Sequence, residues 1–110
     1  MIVAFSVAPS GTPGDTPAGT GDDASVHTAV AAAVKVVRES GLPNRTSSMF
    51  TEIEGEWDEV MDVVKRATEA AGRFGSRVSL VLKADIRPGH TGELTGKVAR
   101  LENALGSLRG

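Results

Sequence analysis

Hydrophobic and polar positions alternate in several distinct rhythms along this chain. Residues 2–8, "IVAFSVA", are almost unbroken apolar and end at Pro9. A strand with one wet face alternates, so a run without alternation predicts a strand covered on both faces. From Ser25 to Ser40 the rhythm changes: Val26, Val30, Ala33, Val34 and Val37 recur every three or four residues, with Lys35, Arg38 and Glu39 between them. This is the period of an amphipathic helix, capped at Asp23 or Ser25 and stopped by Gly41 and Pro43. "NRTSSMFTEIEGE" then alternates with period two and predicts a hairpin, 44–48 and 50–55, turning at Ser47 and Ser48. A second helix follows, with Trp57, Val60, Met61, Val64, Ala67, Ala71 and Phe74 on one face and an end at Gly72 or Gly75. "RVSLVLKADI", residues 77–86, is another strand. A last helix over 91–108 places Leu94, Val98, Leu101, Leu105 and Leu108 on a single stripe.

The order β-α-β-β-α-β followed by α predicts an α+β fold: a ferredoxin-like antiparallel sheet with an extra C-terminal helix, in a single domain over residues 1–110. Two helices cover one face of such a sheet. Strand one, however, is apolar at Val3, Phe5 and Val7 and also at Ile2, Ala4 and Ala8, and the last strand carries Val78, Leu80 and Leu82 with Val81 between them. The second face is therefore expected to be covered as well, by the third helix or by another copy of the chain, which predicts a homo-oligomer. Residues 9–23, "PSGTPGDTPAGTGDD", read as a flexible surface loop. They do not read as a phosphate cradle, because no Gly-Lys-Ser/Thr ending follows, prolines remove amide donors, and Asp15, Asp22 and Asp23 would repel the anion.

Composition narrows the function. With 110 residues, 24% of them charged and a net charge of −2, the chain has room for one core and offers no basic patch for nucleic acid. It contains no cysteine, which excludes disulfides, thiolate catalysis and zinc–thiolate sites. "MIVAFSVAPSG" lacks a basic leader, and no segment reaches the roughly 20 apolar residues of a membrane helix, so a cytoplasmic address and no membrane partner are expected. The two histidines, His27 and His90, stand at no metal-ligand spacing, so no metal is expected. No serine or threonine is set beside a histidine base, and nothing else in the pattern demands an enzyme.

The densest chemistry lies in "TEIEGEWDE", residues 51–59. In a strand Thr51, Ile53 and Gly55 point one way, and Glu52, Glu54 and Glu56 the other. Glu56, Asp58 and Glu59 fall at a helix start, where the dipole favours acids by about 0.3–1 kcal/mol each. Glu52 and Glu54 would serve acid–base chemistry only with pKa values driven apart. Glu54 sits on the face expected to be covered, where an ionised carboxylate needs a donor or a cation. A structural pairing and a ligand contact both satisfy that need. Trp57 is expected to anchor the helix start against the core.

Three segments together, "MIVAFSVAP", "VRESGLPNRTSSMFTEIEGEWDEVMDVVKRA" and "VSLVLKADIRPG", resemble the small thiamine-binding family of ferredoxin-like proteins, with Thr51 to Met61 the most specific part. The resemblance implies a homotetramer that binds thiamine (vitamin B1) or its hydroxymethylpyrimidine moiety without catalysis and without a cofactor, as buffer, carrier or sensor. It implies ligand contacts at Ser6, Ser48, Met49, Thr51 and Glu54: hydroxyls for the aminopyrimidine edge, Met49 or Phe50 against the ring, and a carboxylate for the amine or the thiazolium charge. A subunit that binds no ligand and serves interaction or scaffolding is the alternative.

Overall fold

The computed structural model describes residues 1–11, 22–89 and 91–109. Its elements run β1 (Ile2–Ser10), α1 (Asp22–Glu39), β2 (Asn44–Thr46), β3 (Thr51–Glu54), α2 (Trp57–Gly72), β4 (Arg77–Asp85) and α3 (Glu93–Arg109). The strands form one antiparallel sheet in the order β2-β3-β1-β4, which is the ferredoxin-like arrangement expected from the sequence, with α3 appended.

Register decides which residues share a face. Val3 stands opposite Ile53 on one side and Ala84 on the other, and Phe5 opposite Thr51 and Leu82. Directly opposed residues of antiparallel neighbours point the same way. Val3, Phe5, Val7 and Ile53 therefore make one apolar floor, on which α1 lays Ala29, Ala33 and Val37, and α2 lays Val60, Val63, Val64, Ala67 and Ala71. Each large side chain fully buried there contributes about 1.5–3 kcal/mol. The chain passes from α2 into β4 over the end of β1. There a Cβ on Gly75 would lie 2.5 Å from the Ser10 carbonyl oxygen, so the close approach requires glycine.

Several expectations need correction. β1 does not stop before Pro9 but continues through it to Ser10. β3 pairs with β1 only as far as Phe5, so Pro9 has a strand on one side only, the edge position at which proline is tolerated. The hairpin strands are shorter than the alternation predicts, and residues 47–50 form the turn. Ser47 closes it: its backbone N–H donates to the Phe50 carbonyl at 2.9 Å, and its hydroxyl oxygen accepts from the Phe50 N–H at 3.2 Å. Such local hydroxyl bonds compete with a ladder and shorten it. Trp57 is 54% exposed at the start of α2 rather than anchored in the core. Of the loop predicted over 9–23, residues 12–21 lie outside the described residues, as does His90.

The other sheet face carries Ile2, Ala4, Ser6 and Ala8 along β1, flanked by Glu52 and Glu54 on β3 and by Val81, Lys83 and Asp85 on β4. Helix α3 covers one end of it, with Leu94 buried and Val98 standing over Ile2 and Ala4. Past Val98 the stripe of Leu101, Leu105 and Leu108 is exposed, and so is Val81. Within one chain this face is covered at one end only.

Candidate functional site

A notch opens where β3 parts from β1. Pairing between them ends at Phe5 and Thr51, so the turn over 47–50 swings clear of the next β1 residues, Ser6 and Val7. Helix α1 closes the far side with Val30, Ala33 and Val34, leaving a hollow of about 140 Å³. Of the residues singled out from the sequence, Ser6, Ser48, Met49 and Thr51 all line it. Thr51 forms its buried floor at the first position of β3, while Met49 stands exposed at the rim. With the Ser47 hydroxyl committed to the turn, Ser48 and Met49 are carried on a closed loop rather than on a loose one.

Sequence reasoning missed Thr46, Phe5 and the α1 residues. Thr46 stands opposite Thr51. Drawing the strands to residues 48 and 50 hid that pairing. The α1 contribution had no sequence signal, because Val30 and Val34 look like ordinary members of a helix stripe.

Glu54 lies elsewhere. It is three residues from Thr51 and on the other sheet face, as strand parity requires, and its carboxylate accepts the backbone N–H groups of Glu93 at 2.7 Å and Leu94 at 3.3 Å. Those are orphan donors of the first turn of α3, and a buried carboxylate at that end also complements the helix dipole. Glu93 in turn accepts from Arg100 at 2.6 Å and pairs with Arg87 at 3.6 Å. Beside this cluster a second hollow of about 240 Å³ lies between α3 and the sheet, with Ile2, Ala4, Leu94 and Val98 as its apolar walls and Glu52, Lys83, Asp85 and Glu93 as its polar ones. Of its acids, Glu93 is the one already engaged by Arg87 and Arg100.

Three other acids of residues 51–59, namely Glu56, Asp58 and Glu59, serve the helix start. Asp58 and Glu59 lie in the first turn of α2, and Glu59 accepts the Glu56 backbone N–H at 3.3 Å. Among the described residues no three acidic or histidine side chains converge to hold a metal ion, and His27 is exposed on α1. No helix among them is long and apolar enough to cross a membrane.

Comparison with known proteins agrees with this architecture. Residues 3–102 match the family model described as thiamine-binding protein. A UPF0045 protein of Mycobacterium bovis is 50% identical over 106 residues, covering 96% of this chain and 94% of that one. A UPF0045 protein of Synechocystis is 36% identical over 82 residues, covering 74% of this chain and 68% of that one. Among solved structures, a domain of unknown function from Bacillus cereus superposes with a TM-score of 0.66 at 32% identity, covering 84% of this chain and 82% of that one. A candidate thiamine biosynthesis/salvage protein of Thermotoga maritima superposes with a TM-score of 0.70 at 26% identity, covering 91% of this chain and 96% of that one. On this evidence of sequence and fold, the chain belongs to the thiamine-binding protein family, UPF0045.

Proposed function

We propose that this protein binds thiamine through its hydroxymethylpyrimidine ring in the notch at the end of β3, without catalysis, as a cytoplasmic homo-oligomer, a tetramer, that buffers, carries or senses the vitamin. One observation carries the reading: Ser6 of β1 lines a single hollow with Ser48, Met49 and Thr51, a cluster far along the chain from it, in a member of a thiamine-binding family. An aminopyrimidine offers a donor beside an acceptor, and hydroxyls match either because each can donate and accept. Met49 and Phe50 supply soft and aromatic surface for the ring. At about 140 Å³ the notch is under half the size of drug-sized pockets, which start at about 300 Å³, and it suits one ring rather than two. The thiazolium then extends toward solvent, which is consistent with a lining of apolar and hydroxyl side chains that, among the described residues, includes no carboxylate.

Isothermal titration with thiamine, hydroxymethylpyrimidine and thiamine diphosphate in parallel tests this. Saturable heat is expected for the pyrimidine and for thiamine, at similar affinity. Absence of heat for all three, from folded protein, overturns it in favour of a ligand-free interaction or scaffold subunit. The exposed Leu101, Leu105 and Leu108 of α3 are the observation on which that second reading stands.

A further inference from the structure

The hollow between α3 and the sheet holds two opposite charges that the fold does not use. Across the sheet Arg45, Glu52, Ala4 and Lys83 stand side by side, since Ala4 is opposite Glu52 on β3 and Lys83 on β4, and Arg45 is opposite Glu52 on β2. Glu52 is half-buried and Lys83 exposed, and both line the hollow of about 240 Å³, which Arg45 does not. Among the described residues neither the Glu52 nor the Lys83 side chain makes an ion pair or a hydrogen bond. Neighbouring strands lie about 4.8 Å apart, so the strand between them holds their Cα atoms roughly 10 Å from one another. The methyl group of Ala4 leaves the space between the two charges open. The other acids of the hollow are placed differently: Glu93 is engaged by Arg87 and Arg100, and Asp85 stands beside Ile2, one step further along the strands.

We infer that this hollow is a second ligand site and takes a small zwitterion, an aliphatic amino acid, with its ammonium on Glu52, its carboxylate on Lys83 and its side chain against Leu94 and Val98. Charge and shape select this class together. A ligand with both charges satisfies Glu52 and Lys83 at once by charge-assisted hydrogen bonds, whereas a simple cation or a simple anion leaves one of them without a partner in a partly apolar enclosure. The long stems of Glu and Lys let both groups close on a molecule lying over Ala4. Ile2, Leu94 and Val98 supply apolar walls, which reward burial of an aliphatic side chain. At about 240 Å³ the hollow is below the roughly 300 Å³ at which drug-sized pockets begin, a size for one small metabolite.

This site does not rest on thiamine binding: the notch is floored by Thr51 on the helix-covered face, and the test contains no thiamine. Amide NMR shifts of the full chain are followed during titration with L-leucine, with isocaproate, which keeps the carboxylate alone, and with isoamylamine, which keeps the ammonium alone. Leucine is expected to shift Ala4, Glu52, Lys83, Leu94 and Val98 saturably while Ser47 and Ser48 at the notch stay in place. Each singly charged analogue is expected to bind about tenfold more weakly or worse. Glu52→Gln and Lys83→Met lie outside the core, and each is expected to weaken leucine about tenfold. Each also removes one preference: Glu52→Gln the advantage of leucine over isocaproate, and Lys83→Met its advantage over isoamylamine, a readout that a merely structural role would not move. No shift with leucine overturns the inference. So do shifts confined to the notch, an analogue that binds as well as leucine, or variants that leave both preferences intact.

Discussion

The two faces of one sheet are built to different standards. On the helix-covered face Val3, Phe5 and Ile53 are sealed beneath α1 and α2, with Val7 and Thr51 continuing the floor. On the other, small residues (Ala4, Ser6, Ala8) run down the centre, charged residues flank only the Ile2 and Ala4 end, and α3 shields that end alone. The first face is finished by a single chain. The second is half finished, and its fixed part hangs on Glu54, whose carboxylate holds the first turn of α3 from 39 residues away. The contrast teaches that apolar composition alone does not fill a face: α1 and α2 each lie between two strands of the sheet in chain order and pack on it, whereas α3 follows β4 and leaves Leu101, Leu105 and Leu108 exposed.

The contrast can be broken most sharply at Ile53. Ile53→Ala removes buried bulk beneath both helices and is expected to cost about 2–5 kcal/mol in urea unfolding. A cost below 1 kcal/mol would mean the covered face is loosely packed. Gly75→Ala drives a Cβ against the Ser10 carbonyl, and about 1–3 kcal/mol is expected from the same measurement. Across the sheet, Glu54→Ala strips α3 of its cap for about 0.5–2 kcal/mol, with faster amide exchange at Glu93 and Leu94. Thiamine affinity should stay within about twofold of wild type in Glu54→Gln, since that carboxylate points to α3 rather than into the notch. A large loss would return Glu54 to the ligand. Ser6→Ala and Thr51→Val, by contrast, are expected to weaken binding about three- to tenfold each, one hydrogen bond's worth, in calorimetric titration. The smallest effect falls at Leu108, which is 84% exposed: Leu108→Ala should change stability by less than about 0.5 kcal/mol. A greater loss would show that α3 is covered in solution.

Much of this was legible along the chain. The element order and the stripe of each helix follow from periodicity, because an element's buried face repeats at its own geometric period. Strand parity alone also separates Thr51 from Glu54. What periodicity misses is the stretch of β1 past Phe5 that pairs with β4 but not with β3, since a strand's neighbours on each side depend on residues far away in sequence. That stretch is what makes the notch. Trp57 misled for a related reason: it keeps the helical spacing of the α2 stripe but stands exposed at the first position of the helix, beside Met1 and Ile86 rather than over the core.

The sequence by itself determined the fold class, the order of the elements and Ile53 as a core residue, through local period and residue type, while Ser6, Ser48, Met49 and Thr51 were singled out by the resemblance to a known family. Tertiary structure alone decided that those four share one hollow and that Glu54 serves α3. It also decided that β2 and β4 stand at the edges of the sheet. Each is settled by which strands lie side by side and where their pairing stops, a consequence of long-range register that no local window contains.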